Sequence, residues 1–341
     1  MRYVVLAYLI LGAFSVTFAV NIESTDRFGP VKANVELKIL SSTDIEVFKP
    51  VLEAFANENR DISMEYITAS TAEIYEAVRN NTDDYDLIMS SAMDLQMKLA
   101  NDGFAQSVSL PENALSPNWS KWQNKLFGFS LEPIGMVLSK SYFKDTQIPN
   151  RRRDLISFLR ANQKKLKGRI GTYDVKISGA GFLFATQDAR QSDSFWRLAE
   201  VMGGLNTTLF CCSGQMLDKV NNEEILLAYN IIGSYAEKRA REGSNLEVVY
   251  FQDYTHMLLR SALIPKNAKN VKKAIEFLAF ILGSRGQNFI EKRTGMLSLN
   301  SSTLDARGNF RPIRLDLGLL VYLDKLKKKR FLDEWDQALI Q

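Results

Sequence analysis

The feature that most constrains this chain is a unit that occurs three times within about 70 residues: an apolar strand, a pair of hydroxyl residues, and at once a helix. Residues 35–40 (VELKIL) alternate and run into Ser41-Ser42-Thr43. Residues 62–67 (ISMEYI) lead to Ser70-Thr71, and residues 85–89 (YDLIM) lead to Ser90-Ser91. Runs of this length and pattern read as strands, whereas Ile45, Phe48, Val51, Leu52 and Phe55 recur at helical spacing. Thr43 with Glu46, and Ser70 with Glu73, have the spacing at which hydroxyl and carboxylate cap a helix start. Short strands alternating with helices pair in parallel through βαβ crossovers, with the helices on the sheet faces. The expected class is α/β.

The second half of the chain repeats the theme after a change of pattern. Residues 134–138 (IGMVL) read as a strand following Glu132-Pro133, and further strand–helix units run through 168–174, 178–190 and 248–251. Residues 262–265 form a strand that Pro265 closes, and residues 268–282 form an amphipathic helix capped by Gly283. From Leu315 onward the pattern predicts one more amphipathic helix with a basic middle, clasping the domains. Arg151-Arg152-Arg153 opens a helix whose basic face is expected to be solvated. At 341 residues the chain exceeds what one hydrophobic core usually serves, so two domains are expected.

Composition narrows the function classes. Hydrophobic residues at 46% and charged residues at 24% exclude a disordered chain and a multi-span membrane protein. Lys+Arg number 43 against 39 Asp+Glu, an excess too small for a dedicated nucleic-acid partner. One histidine and two cysteines are too few for a Cys/His metal cage, and no metal or other cofactor is expected. Cys211 and Cys212 are adjacent and are expected to pack as small apolar side chains or remain free thiols, with a strained vicinal disulfide as the alternative. Residues 1–19 place Arg2 before an apolar stretch that ends in Thr17-Phe18-Ala19. That is the pattern of a cleaved secretory signal, with a retained anchor as the alternative.

Catalytic patterns do not stand out. His256 is the single imidazole, with no nucleophile elbow around it, and no phosphate-binding G-x-x-x-x-G-K-[ST] run occurs. A secreted phosphatase built on His256 is the alternative from another class. The hydroxyl pairs point instead to binding. Ser42-Thr43, Thr71 and Ser90-Ser91 lie at carboxyl ends of predicted parallel strands, and Ser178-Gly179-Ala180-Gly181 opens a further helix. Ligands of open α/β sheets bind outside those strand ends, where helix starts offer amides and partial positive charge to anions.

These segments resemble a known group. Gly171-Thr172-Tyr173-Asp174 followed by Ser178-Gly179-x-Gly181 is similar to the opening of the second lobe in bacterial periplasmic solute-binding proteins of the ferric-ion and organophosphate type. Residues 277–287 (FLAFILGSRGQ) resemble the C-terminal signature of that group. Residues 89–96, 227–235, 252–255 and 315–323 resemble the phosphoglycerate transport regulatory family. The resemblance implies the two-lobed periplasmic binding protein fold of type II, each lobe a mostly parallel sheet flanked by helices and hinged by crossing strands. It places lobe one at 30–128 plus 262–312, lobe two at 132–250, and a packed C-terminal helix at 313–341. It implies a monomer, without enzymatic activity, that captures a small anionic metabolite such as a phosphate ester. The partner would be an ABC permease, a sensor histidine kinase ectodomain, or both. The ligand contacts implied are Ser42, Thr43, Thr71, Ser90, Ser91, Glu132, Ser178, Gly179, Ala180, Gly181, Tyr229, Asn230 and Asp253. Where the ferric branch has two consecutive tyrosines, this chain has Tyr229-Asn230, and where relatives show Asp-Pro-Arg it has Asp174-Val175-Lys176. Ferric iron remains the alternative ligand within the class.

Overall fold

The computed structural model describes residues 20–80, 84–114, 117–302 and 307–340, so the stretch at 1–19 that is expected to be a signal lies outside the described residues. The chain begins with β1 (Ile22–Phe28) and continues through β2 (Val35–Ser41), α1 (Ile45–Glu58), β3 (Ile62–Ala69), α2 (Thr71–Asn80), β4 (Leu87–Ser90) and α3 (Met93–Asn101). β2 pairs in parallel with both β3 and β4, so the three strand–helix units do build the crossovers that their pattern predicts. β1 is an addition. Its sequence IESTDRF is polar and exposed, and it pairs antiparallel with β3 at the sheet edge. An exposed edge strand buries neither face, so it carries no apolar alternation to announce it.

A short β5 (Lys121–Trp122) precedes β6 (Leu126–Ser139), whose 14 residues are all buried. The first half of β6 pairs with the strand at 255–263, and its second half pairs in a different part of the sheet. Residues 126–133 and 134–138 are therefore one strand crossing from lobe to lobe, where the sequence suggested a break. The second lobe comprises α4 (Arg152–Ala161), α5 (Gln163–Leu166), β7 (Ile170–Tyr173), α6 (Gly179–Gln191), α7 (Ser194–Gly204), β8 (Thr208–Phe210), α8 (Ser213–Asn221), β9 (Leu227–Ile232), α9 (Gly233–Arg241) and β10 (Leu246–Val249). The chain returns to the first lobe as β11 (Thr255–Leu263), followed by α10 (Val271–Leu282), α11 (Ser284–Phe289), a π-helical turn (Ile290–Thr294) and β12 (Phe310–Pro312).

The strand order is β1-β3-β2-β4-β11-β6-β9-β7-β8, with β5 and β10 on β6 and β12 on β11. Pairing is parallel at β3-β2-β4 and at β9-β7-β8, and antiparallel where β6 and β11 carry the chain between lobes. Helices cover the faces. Phe48, Val51, Leu52 and Phe55 of α1 are buried, and the Phe55 ring meets Phe277 of α10 edge-on at 4.9 Å. Burying each such side chain is worth about 1.5–3 kcal/mol.

The C-terminal segment departs from the expectation of one helix. A 3-10 helix (Leu317–Leu323) is followed by a separate helix, Lys325–Leu339. The break falls at Asp324, whose carboxylate accepts the Lys327 amide at 3.1 Å and starts the second helix. That helix buries Phe331, Trp335, Ala338 and Leu339 in the core of the second lobe. The basic run at 151–153 is also not a wholly solvated face, because Arg152 is buried.

Candidate functional site

A cleft of about 500 Å³ lies between the lobes. That volume is typical of small-molecule sites. From the first lobe it is lined by Glu23, Ser42, Asp44, Ser70, Thr71, Ala72, Glu73, Ser91 and Arg260. From the second come Tyr173, Ser178, Ala180, Cys211, Cys212, Ser213, Gly214 and Tyr235. Most of these residues are helix starts. α1, α2 and α3 follow strands β2, β3 and β4 directly, and α6 and α8 follow β7 and β8. First-turn amides of a helix have no acceptor within it. Thr71-Ala72, Ala180 and Ser213-Gly214 thus bring the positive ends of α2, α6 and α8 to one crevice.

Several hydroxyls there are committed to building the turns. Ser42 Oγ accepts the Ser91 amide at 3.0 Å and meets Ser91 Oγ at 3.3 Å, which ties two strand ends together. Ser70 Oγ accepts the Glu73 amide at 3.2 Å, the hydroxyl half of its capping spacing. Ser178 Oγ accepts the Gly181 amide at 3.1 Å. The Thr43–Glu46 box does not form. Asp44 is the cap residue of α1, and the Thr43 hydroxyl accepts from Arg260 Nη1 at 2.7 Å.

Arg260 is the central group that sequence reasoning missed. It is 1% exposed, on β11 beside the crossing strand. Its Nε donates to Glu132 of β6, Nη1 to Thr43 of the first lobe, and Nη2 to Tyr235 of the second at 3.3 Å. A guanidinium has five N–H donors, so one on each terminal nitrogen is left. Glu132 also accepts from Ser234 Oγ. Burial raises its carboxyl above the ordinary range, and Arg260 opposes that shift. Burial likewise pushes the Tyr235 phenol up to about 12, so it is neutral and can donate. A lone arginine in the run HMLLRSAL was the available signal, since a strand buried on both faces carries a charge only where it is paired.

Glycines 179 and 181 serve different ends. A methyl group on Gly179 would stand 2.8 Å from Thr71 Oγ1 and 2.9 Å from Leu95 Cδ1, so this helix start passes directly against the first lobe. A methyl group on Gly181 would strike Tyr173, and its amide is held by Ser178. Gly181 is a packing glycine, which corrects its reading as an amide open to ligand.

The thirteen residues expected at the ligand therefore separate into three groups. Ser42, Thr71, Ser91, Ser178 and Ala180 line the cleft, with Gly179 at the inter-lobe contact. Thr43, Ser90, Glu132 and Gly181 are buried behind its wall. Tyr229, Asn230 and Asp253 do not line it. They belong to a network centred on buried Asp188, with Asp253 at its exposed edge; Asp188 accepts from the Tyr229 hydroxyl at 2.9 Å, Asn230 Nδ2 at 3.0 Å and the Tyr254 hydroxyl at 3.0 Å. Arg152 Nε donates to the Tyr229 hydroxyl at 2.8 Å, and its Nη1 pairs with Asp253 at 3.1 Å. Burial disfavours the Asp188 charge, but Arg152 and His256 outweigh it and hold the carboxyl below its usual range. The polar demands of these side chains are met within the lobe.

The leading expectation for the cysteines changes. Cys211 and Cys212 are joined as a vicinal disulfide, in the turn from β8 to α8 rather than within a strand that would send neighbours to opposite faces. Lys176 lines the cleft, but its Nζ is 2.8 Å from Asp336 of the C-terminal helix. Among the described residues no cluster of three or more His, Cys, Asp or Glu is arranged to hold a metal ion, and no helix is long and apolar enough to cross a membrane.

Comparison with known proteins agrees with this architecture. The family model of bacterial extracellular solute-binding proteins matches residues 37–296. The substrate-binding protein of an ABC transporter from Agrobacterium tumefaciens is 30% identical, with 94% of this chain and 100% of that one covered and a TM-score of 0.88. AfuA from Actinobacillus pleuropneumoniae, solved with fructose-6-phosphate, is 18% identical over 89% of this chain and 98% of its own, with a TM-score of 0.71. Iron-bound HitA from Pseudomonas aeruginosa is 16% identical over 89% of this chain and 99% of its own, at 0.68. Among curated proteins none matches the chain. Two hinged lobes with helix starts gathered between them form the type II periplasmic binding protein fold, and the match over most of the chain makes this protein a member of the bacterial extracellular solute-binding protein family.

Proposed function

We propose that this protein captures a small hydroxylated organic anion, a phosphate ester of the phosphoglycerate or sugar-phosphate kind, and delivers it to a membrane ABC importer. The observation that carries the reading is the convergence of helix starts from both lobes, with the spare N–H groups of Arg260, on one cleft. Such amides hold anions without a mobile cationic side chain. Asp44, whose carboxylate makes no bond to its own helix, offers an acceptor for ligand hydroxyls. The lobes touch through Gly179, so a ligand between them would be enclosed by hinge closure, and the closed surface is what a permease or a sensor kinase ectodomain would read. The Tyr229 phenol that an iron site of the ferric kind would use is bonded to Arg152 and Asp188 instead, which favours the organic anion over ferric iron.

The test is calorimetric titration and thermal unfolding of the purified mature protein. The panel contains phosphorylated three- to six-carbon metabolites, di- and tricarboxylates, and ferric salt with and without phosphate. Binding by mass action raises the unfolding temperature. The expected result is a shift with at least one phosphate ester. No shift with any organic anion, or a visible tyrosinate–iron band on adding ferric salt, overturns the proposal.

A further inference from the structure

The second-lobe wall of the cleft contains a reducible bond. Cys211 and Cys212 are joined as a disulfide, both are exposed, and both line the cleft beside Ser213 and Gly214. A disulfide stabilises a fold chiefly by closing a long loop of the unfolded chain. This one joins neighbours in sequence and ties no distant segments together, so it can be broken without releasing the lobe.

Cys212 is also the cap residue of α8, a helix of nine residues, and its side chain accepts no amide of the first turn. The α2 and α6 starts on the same cleft differ, because Ser70 accepts the Glu73 amide at 3.2 Å and Ser178 accepts the Gly181 amide at 3.1 Å. The hydroxyl nearest the α8 start, on Ser213, is buried and shared with the Tyr173 hydroxyl. A disulfide sulfur is uncharged and a weak acceptor, so the oxidised cap leaves the first-turn amides of α8 to an anion from the ligand. A thiolate at the same position is itself an anion. A helix N-terminus favours it, lowering a cysteine pKa from about 8.5 to about 3.5–7.5.

We infer that Cys211–Cys212 is a redox site that gates the cleft: the disulfide leaves the α8 amides to the anionic group of the ligand, and reduction frees a Cys212 thiolate that takes them. The reductant is a dithiol. One of its thiolates attacks a sulfur of the pair, and a mixed disulfide forms as the Cys211–Cys212 bond breaks. Its second thiol then closes the reagent's own disulfide and expels the remaining cysteine sulfur. Two electrons and two protons pass to the protein, and the Cys212 proton leaves on ionisation. The inference rests on the proposed function for the anionic end of the ligand and adds its control.

The experiment compares one protein in two redox states. Thiols are counted with a chromogenic disulfide reagent before and after treatment with dithiothreitol, which is then removed under nitrogen, and native circular dichroism is checked in both states. 3-Phosphoglycerate, fructose-6-phosphate and inorganic phosphate are titrated calorimetrically into each. The expected result is no thiol before reduction and two after it, with about tenfold or more weaker binding in the reduced state and recovery on reoxidation. The Cys211→Ala/Cys212→Ala variant should show one affinity with and without dithiothreitol. Reduced native protein should also react with iodoacetamide at pH 7 at least about threefold faster than the same protein unfolded in urea, the mark of a thiolate held at a helix start. Thiols already free in aerobically purified protein, equal affinity in the two states, or alkylation no faster than in urea overturns the inference and leaves the phosphate-ester reading standing. Failure of all three anions to bind the oxidised protein also overturns it, and the wider anion panel then decides the proposed function separately.

Discussion

Replacing Arg260 by methionine should cost both stability and binding, and the structure fixes how much and why. The side chain is 1% exposed and donates to Glu132, Thr43 and Tyr235, which belong to the crossing strand and to each lobe in turn. Methionine fills a similar volume, so little of the effect is a cavity. What remains is Glu132, fully buried with only the Ser234 hydroxyl left to it. Removing one partner of a buried ion pair costs about 3–5 kcal/mol, whereas replacing both by apolar groups of similar size is often neutral. Arg260→Met should therefore lower the unfolding free energy in urea at pH 7 by about that amount, and Arg260→Met/Glu132→Leu should recover most of it. The pH dependence checks the cause. Without Arg260, burial raises the Glu132 carboxyl further above its unfolded value, so the folded state binds the proton more tightly. Stability of the single variant then falls as pH rises from the ordinary carboxylate range towards that raised value, by at most about 1.4 kcal/mol per pH unit. A single variant within about 1 kcal/mol of wild type, or a double variant as unstable as the sum of its parts, would refute this account of the hinge.

Other substitutions probe separate parts of the molecule. Asp94 is buried and its carboxyl is pushed up to about 7 by burial, so its folded form holds a proton that the unfolded form releases above about pH 4. Its contribution to stability falls as pH rises through that window, and Asp94→Asn should be more stable than wild type at pH 8, by up to about 4 kcal/mol, with a flatter profile; identical pH profiles in urea would count against it. Gly179→Leu should wedge the lobes apart at Thr71 and Leu95, which would weaken ligand binding about tenfold or more and enlarge the scattering radius, with circular dichroism unchanged. Gly203→Ala places a methyl group on the Ala338 carbonyl oxygen, so it should displace the C-terminal helix and cost about 1–3 kcal/mol, seen as earlier proteolytic release of that helix.

The fold was legible wherever burial imposes a period. The β2-α1-β3-α2-β4 run could be read because β2 and β3 alternate apolar with polar residues, β4 is a short apolar run, and each helix has one apolar stripe of a different period. β1 could not be read, because Ile22–Phe28 buries only Phe28 and gains its place from backbone pairing with β3. Backbone pairing leaves no mark on side-chain pattern. The continuity of β6 was hidden for a related reason. Its two halves serve different lobes, and Pro133 is tolerated because the strand changes partners there, pairing Pro133 with Met257 on one side and Ile134 with Ile232 on the other.

The site divides along the same line between local and non-local causes. Helix starts such as Ser42, Thr71, Ser91 and Ser178 were legible because a strand end followed by a hydroxyl is a local pattern, and parallel topology alone brings such ends to one edge. Tyr229 and Asn230 misled because the motif that carries them is local while their partners are not: Asp188 is 41 residues from Tyr229 and Arg152 is 77. Nothing in the neighbourhood of residue 229 reveals that a buried acid and a buried base already claim its hydroxyl. Arg260 shows the converse. Its partners Thr43 and Glu132 lie 217 and 128 residues away, so no spacing rule could have joined them. Yet a charge that is fully buried in a central strand must be compensated somewhere. In a two-lobed protein the groups able to compensate it at a crossing strand come from both lobes, and an unexplained charge on such a strand is therefore a better sequence pointer to the hinge than any hydroxyl beside it.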